Sequence, residues 1–96
     1  MQHSSAHASI RQCLRETIVD ADGEPAGEIC DLLLDRRTGR IDFVRVAILP
    51  APAADRRYVT IPWSALRVPG DEEQRWGVRA KRATLRKMAR REVRFA

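Results

Sequence analysis

Clusters of turn-forming residues cut the first eighty residues into apolar runs of about ten residues or fewer, and that spacing confines the chain to short strands. Asp20-Ala21-Asp22-Gly23-Glu24-Pro25 is the strongest such cluster, because glycine accepts a positive φ and aspartate bonds back to nearby backbone. Arg36-Arg37-Thr38-Gly39 is the second, again with glycine in the last position. Residues 50–55 contain two prolines that cannot donate to a ladder, Pro62 ends the next run, and residues 68–73 form a polar loop.

Between these breaks the runs read as strands. Residues 13–19 are β-prone, and residues 26–35 follow with Gly27 near the start and Leu32-Leu33-Leu34 apolar on both faces. Such a triplet is expected where a strand is covered on both sides or is bulged. In residues 40–49 Val44, Val46 and Ile48 share one face, and in residues 57–61 Val59 and Ile61 point inward. Trp63-Ser64-Ala65-Leu66 fits one helical turn or a tight corner, and residues 75–80 make a last strand with Trp76, Val78 and Ala80 on one face. Residues 83–91 lack glycine and proline and set Leu85, Met88 and Ala89 along one stripe, which predicts a short amphipathic helix. The fold class is therefore mostly β: a small antiparallel β-barrel of five to six strands with a short C-terminal α-helix. Closing the sheet removes edges that would otherwise template aggregation.

Ninety-six residues, 44% of them apolar, make one domain with one modest core. Only five residues are aromatic, so aliphatic side chains carry that core. Residues 1–10 are small, polar and aperiodic and are expected to be a disordered lead-in to a domain over residues 11–96. No run approaches the roughly 20 apolar residues of a membrane helix, and the N-terminus lacks the pattern of a signal peptide, so a cytoplasmic location is expected. If a tight turn centres on Asp22-Gly23, opposed residues have numbers summing to a constant and Cys13 and Cys30 lie diagonally, about 7–8 Å apart. That is beyond usual disulfide reach, and two reduced thiols are expected.

Charge is unevenly spread. The net value is +5, yet from Arg75 onward nine basic residues meet one acid, Glu92, whereas the first 74 residues hold nine basic and twelve acidic ones. Such an imbalance exceeds what solubility requires and attracts phosphate backbones, acidic proteins or anionic surfaces. Arg79, Arg82, Arg86, Lys87, Arg90 and Arg91, with Trp76 near them, are the candidate partner-binding residues. Trp63 is expected to plug one end of the barrel rather than to bind.

Enzymatic and metal chemistry find little support. His3 and His7 are four apart and Cys13 follows, but a metal needs three or four ligands in fixed geometry. A histidine-assisted nucleophile would require the first seven residues to fold back onto the domain, and no glycine loop cradles phosphate. Asp31, Asp35 and Asp42 sit at strand ends and turns, where carboxylates cap. The reading is a non-enzyme with no catalytic residue, no metal and no cofactor.

Asp22-Gly23-Glu24-Pro25-Ala26-Gly27-Glu28-Ile29, Asp31 to Asp35, Thr38-Gly39-Arg40-Ile41 and Ile61-Pro62-Trp63-Ser64-Ala65-Leu66, in that order and spacing, resemble the PRC-barrel family. The resemblance spans about residues 14–80 and makes Asp22, Gly23, Gly27, Gly39, Pro62 and Trp63 its structural motif. It implies a compact barrel of about six strands that holds or adjusts a larger assembly and is not itself a catalyst. The family's known settings are the photosynthetic reaction-centre H subunit, the ribosome maturation factor that binds a small-subunit ribosomal protein, and many small stand-alone proteins. The chain lacks the membrane helix of the first and the preceding barrel of the second, so it fits a stand-alone member. Its expected function is a protein-binding adaptor that joins a larger assembly or self-associates, as a homodimer for example. The alternative is a ribosome- or RNA-associated factor acting through the basic end.

Overall fold

The tight turn at Asp22-Gly23 starts the fold. A computed structural model of the chain describes residues 9–49, 56–70 and 75–91. Gly23 has φ +81°, its N–H donates to the Asp20 carbonyl at 3.0 Å, and the Asp20 N–H donates to the Glu24 carbonyl at 2.8 Å. This turn joins β1 (Thr17–Val19) to β2 (Pro25–Leu34). Thr17 faces Glu28 and Ile18 faces Gly27, the constant-sum register expected from the turn, until a bulge moves Val19 opposite Pro25.

The second turn works similarly. Gly39 has φ +75° and donates to the Asp35 carbonyl at 2.8 Å, while the Asp35 carboxylate accepts from the Arg37 N–H at 2.8 Å. It sends β2 back as β3 (Ile41–Ile48). Two irregularities, between Ile29 and Asp31 and between Leu33 and Leu34, interrupt this hairpin. The leucine triplet is thus resolved by bulging: Leu32 packs on the core, Leu33 is half-buried and Leu34 is exposed. β4 (Arg57–Pro62) pairs antiparallel with β3, and Pro62 closes it by starting a 3-10 turn, Trp63–Ala65. β5 (Leu66–Arg67) and β6 (Trp76–Val78) form the opposite end of the sheet.

With a two-residue strand β7 (Arg90–Arg91) at one end, the seven strands run in the order β5-β6-β1-β2-β3-β4-β7 and curl into a half-barrel. Two details depart from the all-antiparallel expectation of five to six strands. β6 lies parallel to β1, with Ile18 beside Trp76 and Val19 beside Gly77. The reason is topological: the 3-10 turn carries the chain from β4 to the far edge, and β6, antiparallel to β5, then meets β1 pointing the same way. The extra strand is β7 (Arg90–Arg91), on the free edge of β4.

The C-terminal helix is α2 (Arg82–Met88), shorter than the expected 83–91. Ala89 leaves the helix with φ −68° and ψ 142°, and this extended residue lets Arg90 and Arg91 pair with Tyr58 and Arg57. An unpaired sheet edge offers backbone groups that outweigh two further helical bonds at a frayed end. Leu85 and Ala89 are buried in the shared core while Met88 is exposed, so α2 packs on its own barrel.

The beginning of the chain also differs. Cys13 lies in a helical turn, α1 (Ile10–Cys13), and not in the first strand. Ser9 caps it: its hydroxyl accepts from the Gln12 N–H, and the Gln12 side chain accepts from the Ser9 N–H, both at 3.1 Å. Ser9-x-x-Gln12 is a capping box, a signal present in the sequence. Arg15, at φ +73°, then turns the chain into β1. Apart from Ser9 and Ile10, the expected disordered lead-in lies outside the described residues. Ile18, Ile29, Val44 and Val46 are fully buried at the centre, the aliphatic core that the scarcity of aromatics requires.

Candidate partner-binding surface

Because the sheet curls without its ends pairing directly, a seam remains where β4 and its 3-10 turn approach β6 and α2. Ile61, Val78 and Leu85 are buried residues that line this seam. Pro62, Ala65 and Met88 line it as exposed residues, and Thr60, Ser64 and Arg79 add its polar part. The result is a groove of about 460 Å³ with a mainly apolar surface. Met88 is 53% exposed here, a large apolar side chain left open to solvent.

The candidate residues from the sequence divide into three groups. Arg79, Arg86 and Lys87 are exposed and Arg82 is half-buried, so these four remain available to a partner. Arg90 and Arg91 contribute backbone pairing to β4; their side chains lie outside the described residues. Trp76 is only 8% exposed and belongs to the core, so it packs rather than presents an aromatic face. It meets Trp63 edge to face, with ring centroids 6.4 Å apart at 62°, which places Trp63 against the core as the plug reading expects.

The motif residues act through the backbone. Gly23 and Gly39 supply the positive φ of their turns, Gly27 lets β3 approach, and Pro62 ends β4. Asp22 donates its N–H at 2.9 Å to the carboxylate of Asp20, which is the more important acid of this turn. Asp20 is buried, and its carboxylate also accepts from the Glu24 N–H at 2.9 Å and from the Arg82 N–H at 3.1 Å. It therefore ties the first hairpin turn to the start of α2, sixty-two residues away. The reciprocal bond from the Ala21 N–H to the Ala80 carbonyl, 3.0 Å, doubles the tie. Nothing local in the sequence distinguishes Asp20 from Asp22, since its distant partner is a backbone N–H.

These bonds, that from Glu24 first, hold the Asp20 carboxyl below its ordinary value of 3.8 against the opposing effect of burial. A depressed folded-state value means stability that is complete above the unfolded value and lost as pH falls through the folded one. Wild-type stability is thus expected to decline below about pH 4, and Asp20→Ala to start lower at neutral pH and decline less. Urea midpoints measured across that range check this; equal acid slopes in the two proteins would count against the tie.

Cys13 is buried, which pushes its thiol up, with the Glu16 charge adding to the effect. Cys30 donates to the Arg45 carbonyl at 3.3 Å, and no disulfide joins the two. Among the described residues no cluster of three or more potential ligands could hold a metal ion, and no helix is long and apolar enough to cross a membrane.

A comparison with curated proteins found no match. The sequence pattern of the PRC-barrel domain matches residues 8–81, a span that takes in Ser9, the cap of α1, and ends at the residue before α2. That span contains both glycine turns, the bulged hairpin, the Pro62-Trp63 corner and the parallel β1–β6 pair that closes the core. With most of its length matched and its strands arranged as this half-barrel, the chain belongs to the PRC-barrel family.

Proposed function

We propose that the chain is a non-enzymatic, cytoplasmic protein-binding module that attaches to a larger assembly or to a second copy of itself. The observation that carries this reading is an open groove with a buried apolar floor and an exposed Met88 at its edge. Exposed apolar patches rimmed by polar residues mark interaction surfaces. Family membership agrees with a binding role.

The second reading, an RNA- or ribosome-associated factor, is favoured by one observation. Residues 75–91 carry eight basic side chains and no acid. The two readings separate by salt. A chain held to RNA by six or more phosphate contacts loses about a thousandfold in affinity between about 50 and 200 mM salt. A protein partner seated on an apolar groove loses far less.

Truncation after Ala80 would not isolate the basic segment, because it also strips Leu85 and Ala89 from the core. The double charge reversal Arg86→Glu/Lys87→Glu, at exposed positions, leaves the core intact. Immobilised full chain, with and without nuclease, is expected to retain protein partners at about 200 mM salt. Capture that disappears with nuclease moves the RNA reading ahead, whereas capture that survives nuclease and weakens with the double reversal keeps a protein partner and places the basic face of α2 at its interface.

A further inference from the structure

The groove between β4 and α2 combines two properties that together select a partner. Its floor of Ile61, Val78 and Leu85 is apolar and continuous with the core, so it gains from burying an apolar side chain. At about 460 Å³ it lies within the range of pockets that bury a ligand. Met88, unbranched and exposed, can re-pack around different shapes.

Its electrostatics are one-sided. Arg79 lines the groove, no acid does, and the elements that carry its α2 side bear Lys81, Arg82, Arg86 and Lys87. A purely polyanionic ligand would use this charge and leave the apolar floor uncovered. A purely apolar ligand would bring its own backbone and flanks against a cationic surface with no compensating charge. A segment with acidic flanks and a large apolar anchor satisfies both halves.

Resting on the reading of the chain as a protein-binding module, we propose that this groove is the docking site for an acidic segment of another protein, anchored by a large apolar side chain. The anchor enters between Met88 and Pro62, and the acidic flanks lie along Arg79 and the start of α2. β7 runs along β4 from Tyr58 toward Arg57, away from Thr60 and Ile61, so it leaves the groove open.

The test is selection of a phage-displayed random peptide library on the immobilised, nuclease-treated full chain, followed by affinity measurement with the synthetic peptides. Selected peptides are expected to carry a leucine, methionine or aromatic residue flanked by Asp or Glu. Met88→Glu and Arg79→Glu, each at an exposed position, are each expected to weaken them about tenfold. Leu34→Ser, exposed on β2 and separated from β4 by β3, is expected to leave them unchanged, and circular dichroism verifies that all three variants fold. Binding should also weaken as salt rises through the range where surface charges become screened.

Peptides without acidic residues would overturn the proposal. So would peptides lost with Leu34→Ser and kept with the groove variants, although the chain would remain a protein-binding module. Selection of no peptide, while an unstructured RNA oligonucleotide binds in a salt-sensitive way, would overturn both the groove and the protein-binding reading.

Discussion

Replacing Gly27 with valine is expected to leave the chain unable to fold cooperatively. Gly27 sits where β2 is flanked on both sides, by Ile18 of β1 and Ile48 of β3. A Cβ at this position would lie 2.9 Å from the Ala47 carbonyl oxygen and would also run into Cγ1 of Val46. The first obstacle is backbone in the middle of a paired strand, and the second is a β-branched side chain in the fully buried core, so neither gives way cheaply. Overpacking typically costs 1–3 kcal/mol, roughly, per forced group, against a total stability of about 5–15 kcal/mol for a small domain. Gly27→Ala is expected to lose about 3 kcal/mol, and valine, with two more carbons, to exceed what the fold can absorb. Gly70→Ala is the matched control, since nothing lies within 4 Å of its added Cβ. Urea unfolding followed by far-ultraviolet circular dichroism distinguishes the three. Near-equal midpoints for Gly27→Ala and Gly70→Ala would contradict the close approach of β2 and β3.

Leu85→Ala is expected to produce the next largest loss, roughly 2–5 kcal/mol, as for other large-to-small changes in a core. Leu85 is 3% exposed and belongs to the same buried cluster as Ile29, Val44 and Val46. Removing it opens a cavity under α2, and Asp20 keeps the helix N-terminus in place so that the site cannot simply collapse. Met88→Ala, three residues on and exposed, is expected to fall within about 0.5 kcal/mol of wild type, as most surface changes do. The contrast decides whether α2 is part of the barrel or an appended basic tail. A neutral Leu85→Ala would make it a tail, and the groove would lose one wall.

Much of the barrel was legible in the sequence because its strands are set by local chemistry. Gly23 and Gly39 occupy the positive-φ positions their turns demand, and the first turn alone set the register of Thr17 and Ile18. Alternation placed Val44, Val46, Ile48, Val59 and Ile61 inward, as observed. What local chemistry does not encode is the choice of partner across the sheet. The parallel β1–β6 pair depends on where the 3-10 turn sends the chain, and β7 depends on a free edge of β4. Propensity alone extends the helix over 83–91, because Ala89 to Arg91 are good helix formers and the competing sheet edge is non-local. Ser9 and Gln12 were legible as a capping box but lie beside an aperiodic segment that hides them.

The candidate site was only half visible. The basic charge of residues 75–91 can be counted in the sequence, but its relation to an apolar groove cannot. Trp76 stands beside basic residues in sequence and is nonetheless buried, because β6 is covered along its whole length and the ring packs in the core against Trp63. Ala65 and Met88, twenty-three residues apart in sequence, line one groove only because the fold brings the 3-10 turn and α2 to the same seam.

The central claim, that this PRC-barrel chain binds a protein segment in the seam between β4 and α2, is tested most directly by amide chemical-shift mapping. The full isotope-labelled chain is titrated with a peptide obtained by selection on it. The shifts are expected to concentrate at Ile61, Ala65, Val78, Arg79 and Met88, leaving Leu34 and Gly39 at the β2–β3 turn unmoved. Shifts centred on Leu34 and Gly39, or spread along the basic residues with the groove floor silent, would contradict it.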